Sequence, residues 1–260
     1  MTFFWHKFKL CYFFNIFFCI FEEIFIQQMI KKTIIVGDII GYTDLKDEAK
    51  NYLETSINEL KEELNQKYQV YLRLIKGDYL EAYVPDNKNG LRVLLLIKTY
   101  IKSIVSVQPE LFTPNSNRIY LFKKYGIRLA LGIADLKRLD LKKGIIDGEA
   151  IYLAGRKINQ FSTANKKRQS IKETLFILSD DDEISWTLSP MLSLMDFIIN
   201  SATSKQSKIL YYLLNGYSEK EISKILSINQ SVINRSSRNS GWNAIEKAVN
   251  FYSEFIEKKL

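Results

Sequence analysis

Between Lys32 and Leu178 the chain alternates short β-branched runs with longer amphipathic stretches. Thr33-Ile34-Ile35-Val36 has the pattern of a buried strand, closed by Gly37. From about Asp44 to Tyr68 the apolar positions Leu53, Ile57, Leu60 and Leu64 recur at spacings of four, three and four. That predicts a helix with Lys and Glu on its outer face. Val70 to Ile75 and Tyr79 to Val84 read as two strands, joined by Lys76-Gly77-Asp78 in a hairpin whose glycine supplies the positive φ. A second helix is expected from about Leu91 to Val107, ending before Pro109, with an exposed loop from Thr113 to Arg118. Tyr125 to Ile133 alternates again, Ile127, Leu129 and Leu131 against Arg128, Ala130 and Gly132. A third helix is predicted over about Gly148 to Phe161 and a last strand near Thr174 to Leu178. Strand, helix, strand, strand, helix, strand is the ferredoxin-like α/β (α+β) order.

After Pro190 strand signals cease, and Asp180-Asp181-Asp182-Glu183 reads as a solvated break. The expected division is an α/β domain over 29–183, a connector helix over 184–203 and a small all-α domain over 204–260. Within the last, helices are predicted at about Ser204 to Leu214, Ser218 to Leu226 and Gln230 to Asn239.

Residues 1–28 do not fit this scheme. Phe3-Phe4-Trp5 and the run from Leu10 to Phe21 show no period and no cap. The run is short for a bilayer span, and it lacks the small-residue cleavage site of a signal peptide. Two readings stand: a non-native extension, with translation starting at Met29, or a membrane anchor. The segment holds His6, Cys11 and Cys19, the only histidine and cysteines of the chain. Residues 29–260 therefore have no thiol and no imidazole, which excludes disulfides, Cys/His zinc sites and Ser-His-Asp or Cys-His catalysis there. It also fits a cytoplasmic location, with no membrane contact unless residues 1–28 are genuine. The formal charge of +8, from 37 Lys and Arg against 29 Asp and Glu, favours polyanionic partners without naming one.

With these chemistries removed, carboxylates become the centre of interest. Asp38, in Val36-Gly37-Asp38-Ile39-Ile40-Gly41-Tyr42-Thr43, and Asp78, in Lys76-Gly77-Asp78-Tyr79, both fall where a strand is expected to end. Two carboxylates on adjacent strand ends meet the need of Mg2+ or Mn2+ for hard oxygen ligands with positions left open for phosphate. A helix starting just after Gly41 would add free amides for an anion. The alternative is that both are turn aspartates.

The two frames together resemble the nucleotidyl cyclase homology domain of class III adenylyl and guanylyl cyclases. The similarity continues through Gly126-Ile127-Arg128-Leu129-Ala130-Leu131-Gly132-Ile133 and Gly148-Glu149-Ala150-Ile151-Tyr152-Leu153-Ala154-Gly155-Arg156. The resemblance implies a ferredoxin-like cyclase-homology domain with Asp38 and Asp78 as metal ligands and Arg156 as the catalytic arginine of the transition state. It places Ile39, Gly41, Tyr42, Thr43, Lys76 and Tyr152 at nucleotide-binding positions, and it implies a site formed between two protomers, hence a homodimer. Tyr152 replaces the family's ribose-positioning asparagine and Leu74 falls where many members carry a base-selecting lysine. From Met29 onward the chain also resembles the SatD-like family of small bacterial proteins.

Ser218 to Arg235 is similar to the helix-turn-helix of sigma-factor region 4 and LuxR-type regulators, with Ile222, Leu226, Ile228 and Ile233 as its small core and Ser223 and Ser227 at the close crossing. Asn229, Gln230, Ser231, Asn234, Arg235 and Arg238 then fall on or near the exposed face of the second helix, suited to base edges and phosphates of duplex DNA. From Lys205 to Lys259 nine Lys and Arg face five Glu, a modest positive surplus. Trp242 is expected to anchor the last helix. The reading is a DNA-binding transcription regulator whose cyclase-homology domain senses a metal-bound nucleotide; the alternative is a divalent-metal nucleotidyl cyclase of altered base specificity.

Overall fold

The computed structural model describes residues 31–75, 77–113, 117–165 and 171–260. The candidate Lys76 and the whole segment 1–28 lie outside these residues. Lys32–Leu260 forms one compact unit. It holds strands β1 (Lys32–Ile39), β2 (Tyr71–Ile75), β3 (Tyr79–Val84), β4 (Ile127–Ala134), β5 (Leu136–Asp140), β6 (Ile145–Gly148) and β7 (Leu175–Ser179). The helices are α1 (Asp47–Tyr68), α2 (Gly90–Ile104), α3 (Asn117–Tyr125), α4 (Glu149–Asn165), α5 (Asp182–Ser201), α6 (Ser204–Leu214), α7 (Glu219–Leu226), α8 (Gln230–Asn239) and α9 (Trp242–Lys259).

Five strands form the main sheet in the order β2-β3-β1-β4-β7, antiparallel except for the parallel β4–β7 pair; β5 and β6 form a separate hairpin. The first four strands are in the ferredoxin-like order. The residue alternation of β1 sorts the two faces. Ile35 and Ile39 join Leu53, Ile57, Leu60 and Leu64 of α1 and the apolar side of α2 in the large core, whereas Ile34 and Val36 meet Ala150, Ala154 and Ile158 of α4. On β4 the α4 side carries Ala130, Gly132 and Ala134, so this helix packs on small residues and approaches the strand backbone closely.

Several expectations need correction. Gly37 does not stop β1, which runs on to Ile39. Its bare Cα instead makes room for β4, since a Cβ there would lie 2.6 Å from Leu129 Cδ2. The helix expected from about Asp44 begins at Asp47, after a 3-10 turn over Tyr42–Asp44. The loop ending at Arg118 gives way to α3, and the β5–β6 hairpin has no counterpart in the sequence reading. Pro190 lies inside α5, which starts at Asp182 with Asp181 as its N-cap.

The C-terminal helices share the core of the sheet. Leu210, Tyr211 and Leu214 of α6 and Ile245, Val249, Tyr252 and Ile256 of α9 belong to the same buried cluster as α1 and α2. A smaller cluster, Ile209, Leu213, Ile222 and Ile233, joins α6, α7 and α8. Among the described residues no helix is long and apolar enough to cross a membrane.

Candidate functional site

Asp38 sits inside β1, opposite Tyr79 on β3 and Arg128 on β4. Its side chain points to the α4 side of the sheet, one step beyond Ile34 and Val36 in the alternation. Asp78 closes the β2–β3 hairpin at the same level, where its carbonyl oxygen accepts the Ile39 amide at 2.8 Å. The ladder of β1 and β3 thus holds the two carboxylate-bearing residues together, as the sequence predicts. Asp38 differs from the expectation in one respect: it is a strand residue, not a turn residue.

Arg128 is the main support of the site. It is 2% exposed, and its Nη1 donates to Asp38 Oδ2 at 3.1 Å. Burial pushes the Asp38 carboxyl up to about 6, Arg128 and more weakly Arg118 draw it down, and the nearby Asp78 carboxylate raises it. The Tyr79 hydroxyl is pushed up to about 12, by burial and then by Glu81 and Asp38.

The turn after β1 is fixed by two close approaches. Gly41 has φ 73°, and a Cβ there would lie 2.6 Å from the Arg118 carbonyl oxygen. The ring of Tyr42 covers Gly77, whose φ is +80°, and a Cβ on Gly77 would meet the Tyr42 hydroxyl at 2.8 Å. Tyr42 donates to Glu54 of α1, and burial followed by that carboxylate pushes its hydroxyl up to about 12. Arg118 reaches back to Thr43 Oγ1 at 3.0 Å and Asp44 Oδ1 at 3.3 Å. The amides of Asp44 and Leu45 bond the carbonyls of Gly41 and Tyr42. The expected helix N-terminus for an anion is therefore absent at this point: the element is a three-residue 3-10 turn. The side chain of Ile39 lies in the large core, leaving only its backbone to the site.

Arg156 and Tyr152 form a second polar group on α4. Arg156 Nη2 donates to Glu149 Oε1 at 2.6 Å and its Nε to the Tyr152 carbonyl at 3.2 Å, while the Tyr152 hydroxyl donates to Asp147. Both side chains are exposed. Among the described residues no hydrogen bond or ion pair joins them to Asp38, Asp78, Tyr42 or Thr43. Leu74 packs against the large core, so its place offers no polar group for a base.

Sequence reasoning did not single out Arg128, Arg118 or the pair Arg73 and Glu81. Arg73 donates through Nε and Nη2 to Glu81 Oε2 at 2.9 and 2.5 Å and also reaches the Gly144 carbonyl, tying the β5–β6 hairpin to the sheet. Arg128 carried a signal, a lone charge within an alternating strand. Arg118 carried none once its segment was read as loop.

Among the described residues no group of three or more His, Cys, Asp or Glu could hold a metal. Asp38, oriented by the buried Arg128, and Asp78 would be the residues to hold a Mg2+, which takes one or two protein carboxylates and completes its shell with water and phosphate oxygens.

At the other end of the chain, α7 and α8 are joined through Ser227, in the left-handed conformation at φ 53°. Ser223 Oγ donates to the Ile228 carbonyl at 2.6 Å, fastening the turn. Ile222 and Ile233 are fully buried and Leu226 and Trp242 pack against them. Ile228 departs from expectation: it is exposed, because the turn carries it out of the cluster. Asn229, Gln230, Ser231, Asn234, Arg235 and Arg238 are all exposed. Asn234 Nδ2 donates to Glu219 Oε2 at 3.0 Å, which places a carboxylate beside this face.

No protein-family model matches the chain, and no curated protein does. Solved structures similar to it include a bacterial light-regulated adenylyl cyclase, at 15% identity and TM-score 0.35, over 57% of this chain and 43% of that one. The adenylyl cyclase CyaB from P. aeruginosa is 18% identical over 50% of this chain and 71% of its own, with TM-score 0.31. The guanylyl cyclase Cya2 is 11% identical over 55% and 80%, with TM-score 0.37. The chain spans less than half of the light-regulated enzyme.

Proposed function

We propose that Asp38 and Asp78 hold a divalent cation, Mg2+ or Mn2+, that carries the phosphates of a nucleotide, and that the protein is a nucleotidyl cyclase of altered base specificity. The observation that carries this reading is the enforced pairing of the two acidic residues. The Asp78 carbonyl accepts the Ile39 amide beside Asp38, and after burial, the larger cause, the Asp78 carboxylate raises the proton affinity of a partly buried Asp38. Arg128 offsets part of this repulsion at Asp38, and a cation between the two carboxylates would offset the rest.

The cation would neutralise charge on the phosphates. Arg128 orients the Asp38 carboxylate, and Tyr42 closes the hairpin turn from above. Arg118, half-exposed beside Thr43, adds positive charge at the rim. Arg156, on the exposed side of α4, is assigned to charge on the transferring phosphorus, across a homodimer. Leu74 and Tyr152 supply neither a lysine nor an asparagine, hence the altered base choice. The test is pyrophosphate release from each of the four nucleoside triphosphates with Mn2+. Release that is lost in Asp38→Asn supports the reading, and no release from any of the four at high protein concentration rejects cyclase activity.

A second reading, regulation of transcription through duplex DNA, is favoured by one observation: six polar side chains stand exposed on and beside α8, behind a helix joint closed at Ser227. Duplex binding that weakens in Arg235→Ala supports it; equal affinity and equal salt dependence in both proteins count against it.

A further inference from the structure

Beside the core stripe of α1 runs a second stripe of different chemistry. Tyr52, Ser56, Glu59, Glu63 and Gln66 recur at spacings of four, three, four and three, so they share one side of the helix. Together with the C-terminal part of α2 and with α6 they line a cavity of about 600 Å³. Sites for small molecules span roughly 300–1,000 Å³. Tyrosines supply much of the wall: ring centroids lie 5.0 Å apart for Tyr100 and Tyr211, 5.7 Å for Tyr211 and Tyr212, and 5.6 Å for Tyr212 and Tyr217.

Four charged side chains share this cavity, Glu59, Glu63, Lys67 and Lys208, and among the described residues no two of them form an ion pair. Three are held by other partners. Glu63 Oε2 accepts the Tyr211 hydroxyl at 2.5 Å, and Glu59 Oε2 the Tyr100 hydroxyl at 3.3 Å. Lys67 Nζ donates to the Asn215 carbonyl and, at 3.3 Å, to Asn215 Oδ1. Lys208 is half-buried and, among the described residues, donates no hydrogen bond. Burial draws its proton affinity down, and Glu59 restores only part of it. One ammonium without an acceptor and one carboxylate oriented by a tyrosine thus leave a demand of each sign in the same space.

The geometry points to a binding site for a free amino acid with an apolar side chain, its ammonium on Glu63, its carboxylate on Lys208 and its side chain against the tyrosine rings. A zwitterion meets both demands at once. A diamine would face the Lys208 charge, and an inorganic anion would face Glu63. The ammonium gains further from the tyrosine faces, and Ile104 and Val107 extend the apolar wall for the side chain. The site shares no residue with the Asp38 end or with α8, so it stands or falls apart from the proposed cation.

Calorimetric titration of the full chain with L-phenylalanine and L-leucine tests this. Wild-type protein binds both, and affinity falls about tenfold or more for 2-phenylethylamine, which lacks the carboxylate, and for 3-phenylpropionate, which lacks the ammonium. Glu63→Gln and Lys208→Met each weaken L-phenylalanine by a similar factor. The two analogues separate the roles: Lys208→Met leaves 2-phenylethylamine unchanged, and Glu63→Gln leaves 3-phenylpropionate unchanged. The glutamine keeps an oxygen for the Tyr211 hydroxyl, and the methionine keeps an apolar stem in place. Melting checks that each variant folds; should Glu63→Gln fail to, Lys208→Met and the analogues decide. No binding of either amino acid at millimolar concentration, analogues as tight as L-phenylalanine, or an affinity untouched by the substitutions would each overturn the proposal.

Discussion

The Asp38 end of the sheet and the outer face of α8 both concentrate polar side chains, and they are built in opposite ways. Asp38 is partly buried, bonded to a buried arginine and raised in proton affinity by its surroundings. The polar residues of α8 stand in solvent, supported from below by two isoleucines, and Asn234 is tied to Glu219. One region concentrates electrostatic cost at a point, where the proposed cation would bind; the other is a solvated surface whose shape is independent of its polar side chains. Substitutions should therefore couple stability to ligand binding at the first and separate them at the second.

The largest effect is expected at Arg128. Arg128→Met leaves the Asp38 carboxylate without its buried partner and should cost about 3–5 kcal/mol in urea unfolding at neutral pH. The pH dependence has a defined sign. Asp38 holds its proton up to about 6 in the folded protein against 3.8 for the ordinary carboxyl. Its contribution to stability is thus fully present below 3.8 and is lost as pH rises through about 6. The deficit of Arg128→Met should shrink on acidification toward pH 4, and a constant deficit would refute the pairing.

Next comes Ile233→Ala, which opens the small cluster of α6, α7 and α8 and should cost about 2–4 kcal/mol. Amide exchange should rise in α7 and α8 while the sheet stays protected. Exchange rising equally at Asp38 would erase the contrast between the two regions.

Cation affinity follows. Asp38→Asn should weaken Mn2+ binding at least tenfold, and wild-type affinity should fall about tenfold between pH 7 and pH 5, because the cation competes with a proton of pKa about 6. Calorimetric titration at the two values checks both. The smallest effect on folding is expected from Arg235→Ala, within about 0.5 kcal/mol of wild type by melting. If α8 contacts DNA, the same change flattens the salt dependence of duplex binding by about one unit of slope.

Periodicity made most of the fold legible. Leu53, Ile57, Leu60 and Leu64 do face the core, and the β2–β3 hairpin turns at a positive-φ glycine. What failed had local causes. Gly37 reads as a strand stop because its packing against Leu129 is a long-range contact, invisible in the chain order. Pro190 reads as a boundary, yet its ring sits on the solvent side of a helix that continues. The β5–β6 hairpin carries exposed lysines and an arginine in place of an alternating apolar face, so no period announces it. At the site, Asp38 and Asp78 could be paired from strand order alone. Arg128 could have been paired with Asp38 by β1–β4 register, which the sequence does not supply; Arg118 becomes visible only when α3 is seen to pack on Gly41.

Mn2+ titration followed by the electron paramagnetic resonance of the free ion, in wild type and in Asp78→Asn, tests the central claim most directly. One Mn2+ per wild-type chain is expected, bound more tightly with a nucleoside triphosphate, and that site is lost in Asp78→Asn with unchanged melting. Equal binding in the two proteins, or none in the wild type at millimolar Mn2+ with nucleotide present, would contradict it.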